Sequence, residues 1–414
     1  MKIRIRKRYL FYVLAFTSAI IAAIGSGIDT ITEHLINDAW ALCLSCFIFG
    51  VIISVGFALI LSIPFREKRL GSIIDPSFQG LRLIKKEEIK NHAISGFGNS
   101  LLTIGYFFLI SYFKDPSIVL PFSQIVILYL IVIESVTEKN TPTLIEIQSA
   151  VIVTFGAILG SLTSDSGSFD LGALAIVFLV INPGWVLLSI YQRRLKRQKI
   201  NKKTNDSINI RVWNVIFATI FTVLIMYVLD VIYNTNTIAS GINASFEFAG
   251  WLMLIATITF FGFTLYIRAL GIGKASVTQA VRSSIIVFSI PVTLFVSIFL
   301  GIGSFESDPT YLMIKLIGMT IMLLGIVSFA LTLTKAYIFI KMKPGYPIED
   351  TMKKLWNITG VNRVTAVAGH YDFIIKIRTR TLVKGYEKII RRVQEVPGID
   401  EYRWQSVLKE WEDI

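Results

Sequence analysis

The chain has 414 residues, of which 54% are hydrophobic and 17% charged, with a formal net charge of +13. Soluble proteins carry about 25% charged residues, and here the deficit is uneven: residues 1–334 hold 26 basic and 18 acidic side chains, residues 335–414 hold 15 and 10. That distribution excludes a single soluble globule and describes a membrane part followed by a small soluble domain.

A bilayer core of ~30 Å needs about 20 apolar residues in helical form. Ten stretches approach that length: 9–28, 40–63, 92–113, 116–136, 144–163, 171–190, 212–233, 249–270, 275–300 and 312–333. The first follows Lys2, Arg4, Arg6, Lys7 and Arg8, but its apolar run is too long for a signal peptide and reads as a retained span. Cys43 and Cys46 form C-x-x-C inside the second stretch, with no His or second Cys pair nearby. They read as packing residues rather than a redox or metal pair.

Charge placement tests the count. With the N-terminus cytoplasmic and ten crossings, the inner side receives 23 of the 26 basic residues: the N-terminal group, those of 64–91, Lys139, those of 191–211, and Arg268 with Lys274. The outer side receives Lys114 and Lys315, and its loops are acidic, with Asp29, Glu33, Asp38, Glu306 and Asp308. The positive-inside rule then holds along the chain and places both termini in the cytoplasm of a multi-pass cell-membrane protein. The runs Arg66–Arg69 and Arg193–Lys203 read as orientation signals beside anionic lipid, so the basic balance calls for no nucleic-acid partner.

Ten spans divide into two fives at loop 164–170, giving expected domains 1–163, 164–334 and 335–414. Because five is odd, similarity between the halves would make an inverted-topology repeat. Tyr106 precedes Ser117-Ile118-Val119 as Tyr266 precedes Ala275-Ser276-Val277. Pro121 and Pro291 fall in spans 4 and 9, and Gly156 and Gly160 answer Gly318 and Gly325 in spans 5 and 10. These features, with Glu134 and Glu138 ahead of the fifth span, resemble the drug/metabolite transporter superfamily of EamA type over about residues 9–333. The resemblance implies ten helices in two inverted halves that move small organic solutes. Span 1 lacks the Trp-Gly pair common in that family, and Glu306 lies well into its loop.

Ionisable and polar groups inside spans mark either a solute path or helix–helix contacts. Arg282 lies about 10 Å into span 9 with Gln279 one turn before it; its guanidinium can bind a carboxylate or phosphate, or reach for lipid headgroups or a helix carbonyl. Asn99 and Tyr106 share a face of span 3, Gln124 follows Pro121, Asn182-Pro183-Gly184-Trp185 interrupts span 6, and Tyr266 lies in span 8. The candidate substrate-binding residues are therefore Arg282, Gln279, Asn99, Tyr106, Gln124, Asn182, Trp185 and Tyr266. No Asp or Glu falls near the middle of any predicted span, which gives little support to a central proton relay. His34, His92 and His370 are scattered and no catalytic or metal motif is present, so neither an enzyme nor a cofactor is expected.

The tail reads β-α-β-β-α-β: Ala336–Met342, Ile348–Ile358, Val361–Ala368, Tyr371–Arg378, Leu382–Val396 and Ile399–Leu408, with Gly or Pro at most junctions. That order is a small ferredoxin-like α+β domain. The stretch V-T-A-V-A-G-H-Y-D-F-I-I-K-I and the later V-P-G-I-D resemble the effector-binding domain of the Lrp/AsnC regulators. The resemblance implies dimers paired through their sheets, an amino-acid effector, and Gly369, Tyr371 and Asp372 as effector-binding candidates. Gly369 and Asp372 equally suit a plain hairpin turn. Span 10 stands where that family has its DNA-binding helices. The expected function is a secondary transporter of small polar metabolites such as amino acids, working by alternating access, with a cytoplasmic domain that senses an effector or dimerises the chain. The alternative is a membrane-bound sensor without net transport.

Overall fold

The computed structural model describes residues 7–65, 68–113, 124–137, 144–160, 171–200, 203–302, 308–331, 334–358, 360–379 and 389–406. They form two units, Met1–Leu130 with Ile152–Ile326, and Ile131–Val151 with Val327–Ile414.

The larger unit is helical, and parts of three helices, within Ile131–Val151 and from Val327, belong to the smaller unit: in chain order they are α1 (Lys7–Ile36), α2 (Ala39–Leu61), α3 (Lys86–Phe113), α4 (Val126–Thr137) and α5 (Leu144–Gly160). Then follow α6 (Leu171–Ile176, a π-turn Val177–Ile181, and Asn182–Arg197), α7 (Ser207–Tyr233) and the short α8 (Thr237–Glu247). The last are α9 (Ala249–Ile272), α10 (Ala275–Arg282), α11 (Ile285–Leu300) and α12 (Pro309–Leu331). Local chemistry sets several boundaries. Asp38 caps α2, its Oδ1 accepting from Trp40 N at 2.9 Å and Ala41 N at 3.1 Å. Asp206 caps α7 through Asn209 N at 2.7 Å. Asn37 and Asn234, with φ of 50° and 52°, turn the chain after α1 and α7, a conformation Asn tolerates better than most residues.

Among the described residues, seven segments are long and apolar enough to cross a bilayer: Tyr9–Ile36, Ala39–Leu61, Lys86–Tyr112, Ser207–Tyr233, Ala249–Ile272, Ala275–Leu300 and Pro309–Ser328. The outward faces support this reading: Leu224, Val228, Ile298 and Phe299 are exposed, whereas Asn99, Gln279 and Ser283 are buried. Apolar groups outside and hydrogen-bonding groups inside is the arrangement a lipid solvent selects. The other three expected spans fall short for identifiable reasons. Much of 116–136 and the end of 144–163 lie outside the described residues, and 171–190 is divided by the π-turn just ahead of Pro183. Proline has no N–H to donate, and the wider turn absorbs that defect while the backbone stays helical on both sides.

Helices also run past the apolar windows. Asp29 and Glu33, read as outer-loop acids, lie within α1, and Arg211, read as an inner-loop cation, lies within α7; all three are buried.

Two close crossings hold the unit together. A Cβ on Gly98 of α3 would stand 2.7 Å from Gly184 O of α6, and one on Gly184 would stand 2.7 Å from Gly98 O. Only glycine permits backbones to touch there. Helices α1 and α9 meet at Gly262, whose carbonyl accepts from Ser18 Oγ at 3.0 Å.

The smaller unit contains the tail sheet: β1 (Thr334–Met342), β2 (Val361–Ala366), β3 (Phe373–Thr379) and β4 (Ile399–Ser406), with α13 (Ile348–Trp356) between β1 and β2. The order is β2-β3-β1-β4, antiparallel throughout. Ala336, Ile338 and Ile340 of β1 and Phe373, Ile375 and Ile377 of β3 point to one buried face at period two, against Leu355 of α13 and Val393. The helix expected over Leu382–Val396 is described only from residue 389, where 389–394 are helical.

Candidate functional site

A cavity of about 160 Å³ lies inside the larger unit, lined by α1, α2, α3, α6, α7, α9, α10, α11 and the turn before α4. Most of its wall is aliphatic or aromatic, with Phe47, Phe107, Trp185 and Phe263 prominent. Among the described residues its charged lining consists of Asp29, Arg211 and Arg282.

Arg282 ends α10. Its guanidinium carbon stands 4.8 Å from the Trp185 ring centroid, 5.0 Å from Tyr266 and 5.6 Å from Phe263. Arg211 lies on the same Phe263 ring at 4.5 Å. Aromatic faces attract a cation and hold it in place, especially when water is excluded. Both side chains are nearly inaccessible, with residues 6% and 5% exposed. Arg282 Nε and Arg211 Nε and Nη1 have no hydrogen-bond partner among the described residues. On α1, Asp29 Oδ2 accepts from Tyr106 Oη at 3.1 Å while Oδ1 has no partner among the described residues. Buried charges left open in this way are costly, and around one cavity they form an unfinished ion-pairing set.

Below the arginine lies an amide network. Gln124 Oε1 accepts from Gln279 Nε2 at 3.0 Å and from Ser283 Oγ at 2.8 Å. Tyr266 Oη donates to Gln279 Oε1 at 3.5 Å and stands 2.7 Å from Ser189 Oγ. Asn99 Nδ2 donates to Asn214 Oδ1 at 3.1 Å. The chain tightens on both sides of this network: Ile127 N and Leu128 N bond back to Gln124 O and Ile125 O, and Ile286 N and Val287 N to Ser283 O and Ser284 O. Each is an i→i+3 turn at the head of a helix, and the two turns meet through Gln124 and Ser283.

Of the sequence candidates, Arg282, Asn99, Tyr106, Gln124 and Trp185 line the cavity. Gln279 and Tyr266 sit behind it, holding Gln124 and Arg282. Asn182 is fully buried beside the π-turn, with neither amide atom partnered among the described residues, and does not line the cavity. Sequence reasoning missed Asp29 and Arg211, because each was assigned to a loop at the edge of an apolar run. The helical spacing Ala22, Gly25, Asp29 was a signal that α1 continues, and those three residues share the cavity face.

A second polar cluster joins the loop after α2 to the α6–α7 connection. Lys196 Nζ donates to Asp75 Oδ2 at 2.5 Å and to Asn205 O at 2.6 Å. Asp75 also accepts from Ser207 N at 2.8 Å and Ser77 Oγ at 2.6 Å. Burial alone would raise the Asp75 pKa, but Lys196 and the hydroxyl donors hold it well below the usual carboxylate range. Arg82 forms a two-pronged pair with Glu88 at 2.7 Å on each arm and reaches Asn205 Oδ1 at 2.9 Å. Burial alone would lower the Arg82 pKa, but Glu88, with a contribution from Asp206, raises it.

In the tail, Asp372 has a structural task. Its Oδ2 accepts from Met342 N at 2.7 Å and its N–H donates to Ile340 O at 2.9 Å, tying the turn to β1. Tyr371 packs its ring 5.4 Å from Phe339, and Gly369 is exposed.

No curated protein matches the chain. A solved structure titled "Crystal structure of protein" aligns with 77% of this chain and 96% of its own at 12% identity and a TM-score of 0.48. No drug/metabolite transporter family model matches the helical part. The family model described as the Lrp/AsnC ligand binding domain matches residues 335–413, so the tail is similar to that domain.

Proposed function

We propose that the chain is a secondary transporter of small polar metabolites such as amino acids, built as ten spans in two inverted halves, 1–163 and 164–334. The observation that carries this reading is the pairing of helix contacts under one exchange, α1 with α6, α2 with α7, α3 with α9, α4 with α10–α11, and α5 with α12. Under it the α3–α6 contact becomes α9–α1, the α2–α9 contact becomes α7–α3, and α2–α3 becomes α7–α9. The α1–α3 contact becomes α6–α9, while α2–α7 and α5–α12 map onto themselves. The two tight turns that meet at Gln124 and Ser283 are exchange partners as well. A helix broken between α10 and α11 that meets a second tight turn at the head of α4, beside a cavity with open polar groups, favours a solute path over a sealed bundle.

The tail would lie in the cytoplasm as a ferredoxin-like domain, 335–414, that dimerises the chain and binds an amino-acid effector. Its match to a ligand-binding domain and the half-exposed second face of the sheet, with Tyr337, Phe339 and Ile374, support this. Fusing a reporter after Ile414 tests the orientation; a periplasmic or extracellular signal refutes it. Counterflow of labelled amino acids in proteoliposomes tests transport. Solute protection against heat with no counterflow of any solute would replace the transporter by a sensor.

A further inference from the structure

We infer that the cavity is built for a short-chain α-amino dicarboxylate, a solute with two carboxylates and one ammonium, rather than for neutral amino acids in general. The inference rests on the reading of this cavity as the solute site and specifies its charge class. The lining carries two guanidiniums and one carboxylate, Arg211, Arg282 and Asp29. An amino dicarboxylate is their electrostatic complement, group for group. Phe263 touches both guanidiniums, which puts their central carbons no more than about 10 Å apart, within reach of two carboxylates on one short chain. The open Nε and Nη1 donors of Arg211 and the open Nε of Arg282 supply charge-assisted bonds, and Asp29 Oδ1 remains to accept the ammonium.

Other solutes leave a group unanswered. A neutral amino acid pairs Asp29 and one arginine but strands the second guanidinium in a desolvated site. A dicarboxylate without an amine satisfies both arginines and sets its charge against Asp29. Glu33, one turn further along α1, is buried but does not line the cavity, so it makes no direct contact with a solute there.

The test measures thermal unfolding of the purified full-length protein against L-glutamate, L-glutamine and succinate, beside counterflow of the same solutes in proteoliposomes. L-Glutamate is expected to stabilise at concentrations about tenfold or more below those needed for L-glutamine or succinate, the factor expected for one charged hydrogen bond. Arg211→Gln and Arg282→Gln should each weaken L-glutamate by about tenfold or more, and one of them should tighten L-glutamine, by removing the guanidinium that a neutral amino acid leaves stranded. Asp29→Asn should narrow the gap between L-glutamate and succinate. L-Glutamine or succinate binding as well as L-glutamate, or no stabilisation by L-glutamate, overturns the inference. Because binding is read separately, counterflow of neutral amino acids in that case would leave the transporter reading standing, and L-glutamate binding without counterflow would remove transport but keep the charge class.

Discussion

The Lys196–Asp75 pair offers a quantitative test of what ties the basic loops of the helical unit together. Both side chains are almost fully buried, at 8% and 2% exposure, and the pair joins the loop after α2 to the end of α6 and the start of α7. Removing one partner strands the other charge, which costs about 3–5 kcal/mol when a buried pair is broken from one side. Lys196→Met leaves Asp75 with only hydroxyl and amide donors. Asp75→Asn leaves the ammonium with the Asn205 carbonyl and Ser77 Oγ as its remaining acceptors. Each single variant should lower the apparent melting temperature in detergent by roughly 5–10 °C, given that 1 kcal/mol corresponds to a few degrees in large domains. The double variant should recover part of that loss, because no charge remains buried alone. On the transporter reading the pair also governs opening, so Ser72→Cys, in a chain with Cys43 and Cys46 replaced, should react faster with a charged thiol reagent in either single variant. Singles that melt like the wild type, or a double variant that loses the sum of both, would refute the reasoning. The pH dependence follows from the sign of the shift. Asp75 is held below its unfolded value of ~3.9, so its contribution is complete above that pH and disappears as pH falls through the folded-state value. No loss from this group is expected between pH 5 and 8.

Three further outcomes follow from local geometry. A Cβ on Gly156 would stand 2.6 Å from Gly318 O and Met322 N, so Gly156→Val should force α5 from α12 and cost roughly 1–3 kcal/mol in heat stability, whereas Gly56→Ala, with nothing within 4 Å, should be neutral or better. Burial raises the Asp206 pKa even as it caps α7, so its charged form is disfavoured and stability from this group declines as pH rises through the folded value. Asp206→Asn should keep the cap and remove that penalty, and Asp206→Ala should lose about 1 kcal/mol, both read by melting at neutral pH. Asp372→Ala should expose Met342 N–H and destabilise the tail by about 1 kcal/mol, seen as faster proteolysis within 335–414 even without any effector.

The sequence alone determined that an apolar helical part precedes a small sheet-bearing tail. Runs of Ile, Leu, Val and Phe dictate helices in lipid whatever their neighbours, and Gly and Pro at the tail junctions leave few alternatives to the strand order that is observed. The tight turn at Gln124 was legible only as a nearby proline, and the π-turn in α6 only as Asn182-Pro183. Tertiary structure decided the charged site. Backbone hydrogen bonding carries α1 beyond residue 28 and starts α7 before residue 212, regardless of whether a side chain is charged, so a window that stops at the first charge places Asp29 and Arg211 outside. Whether such a charge faces water or a cavity depends on which helices cross beside it, and those crossings are set by contacts far apart in the chain, Gly98 with Gly184 and Ser18 with Gly262 among them. No periodicity within a single helix encodes that pairing.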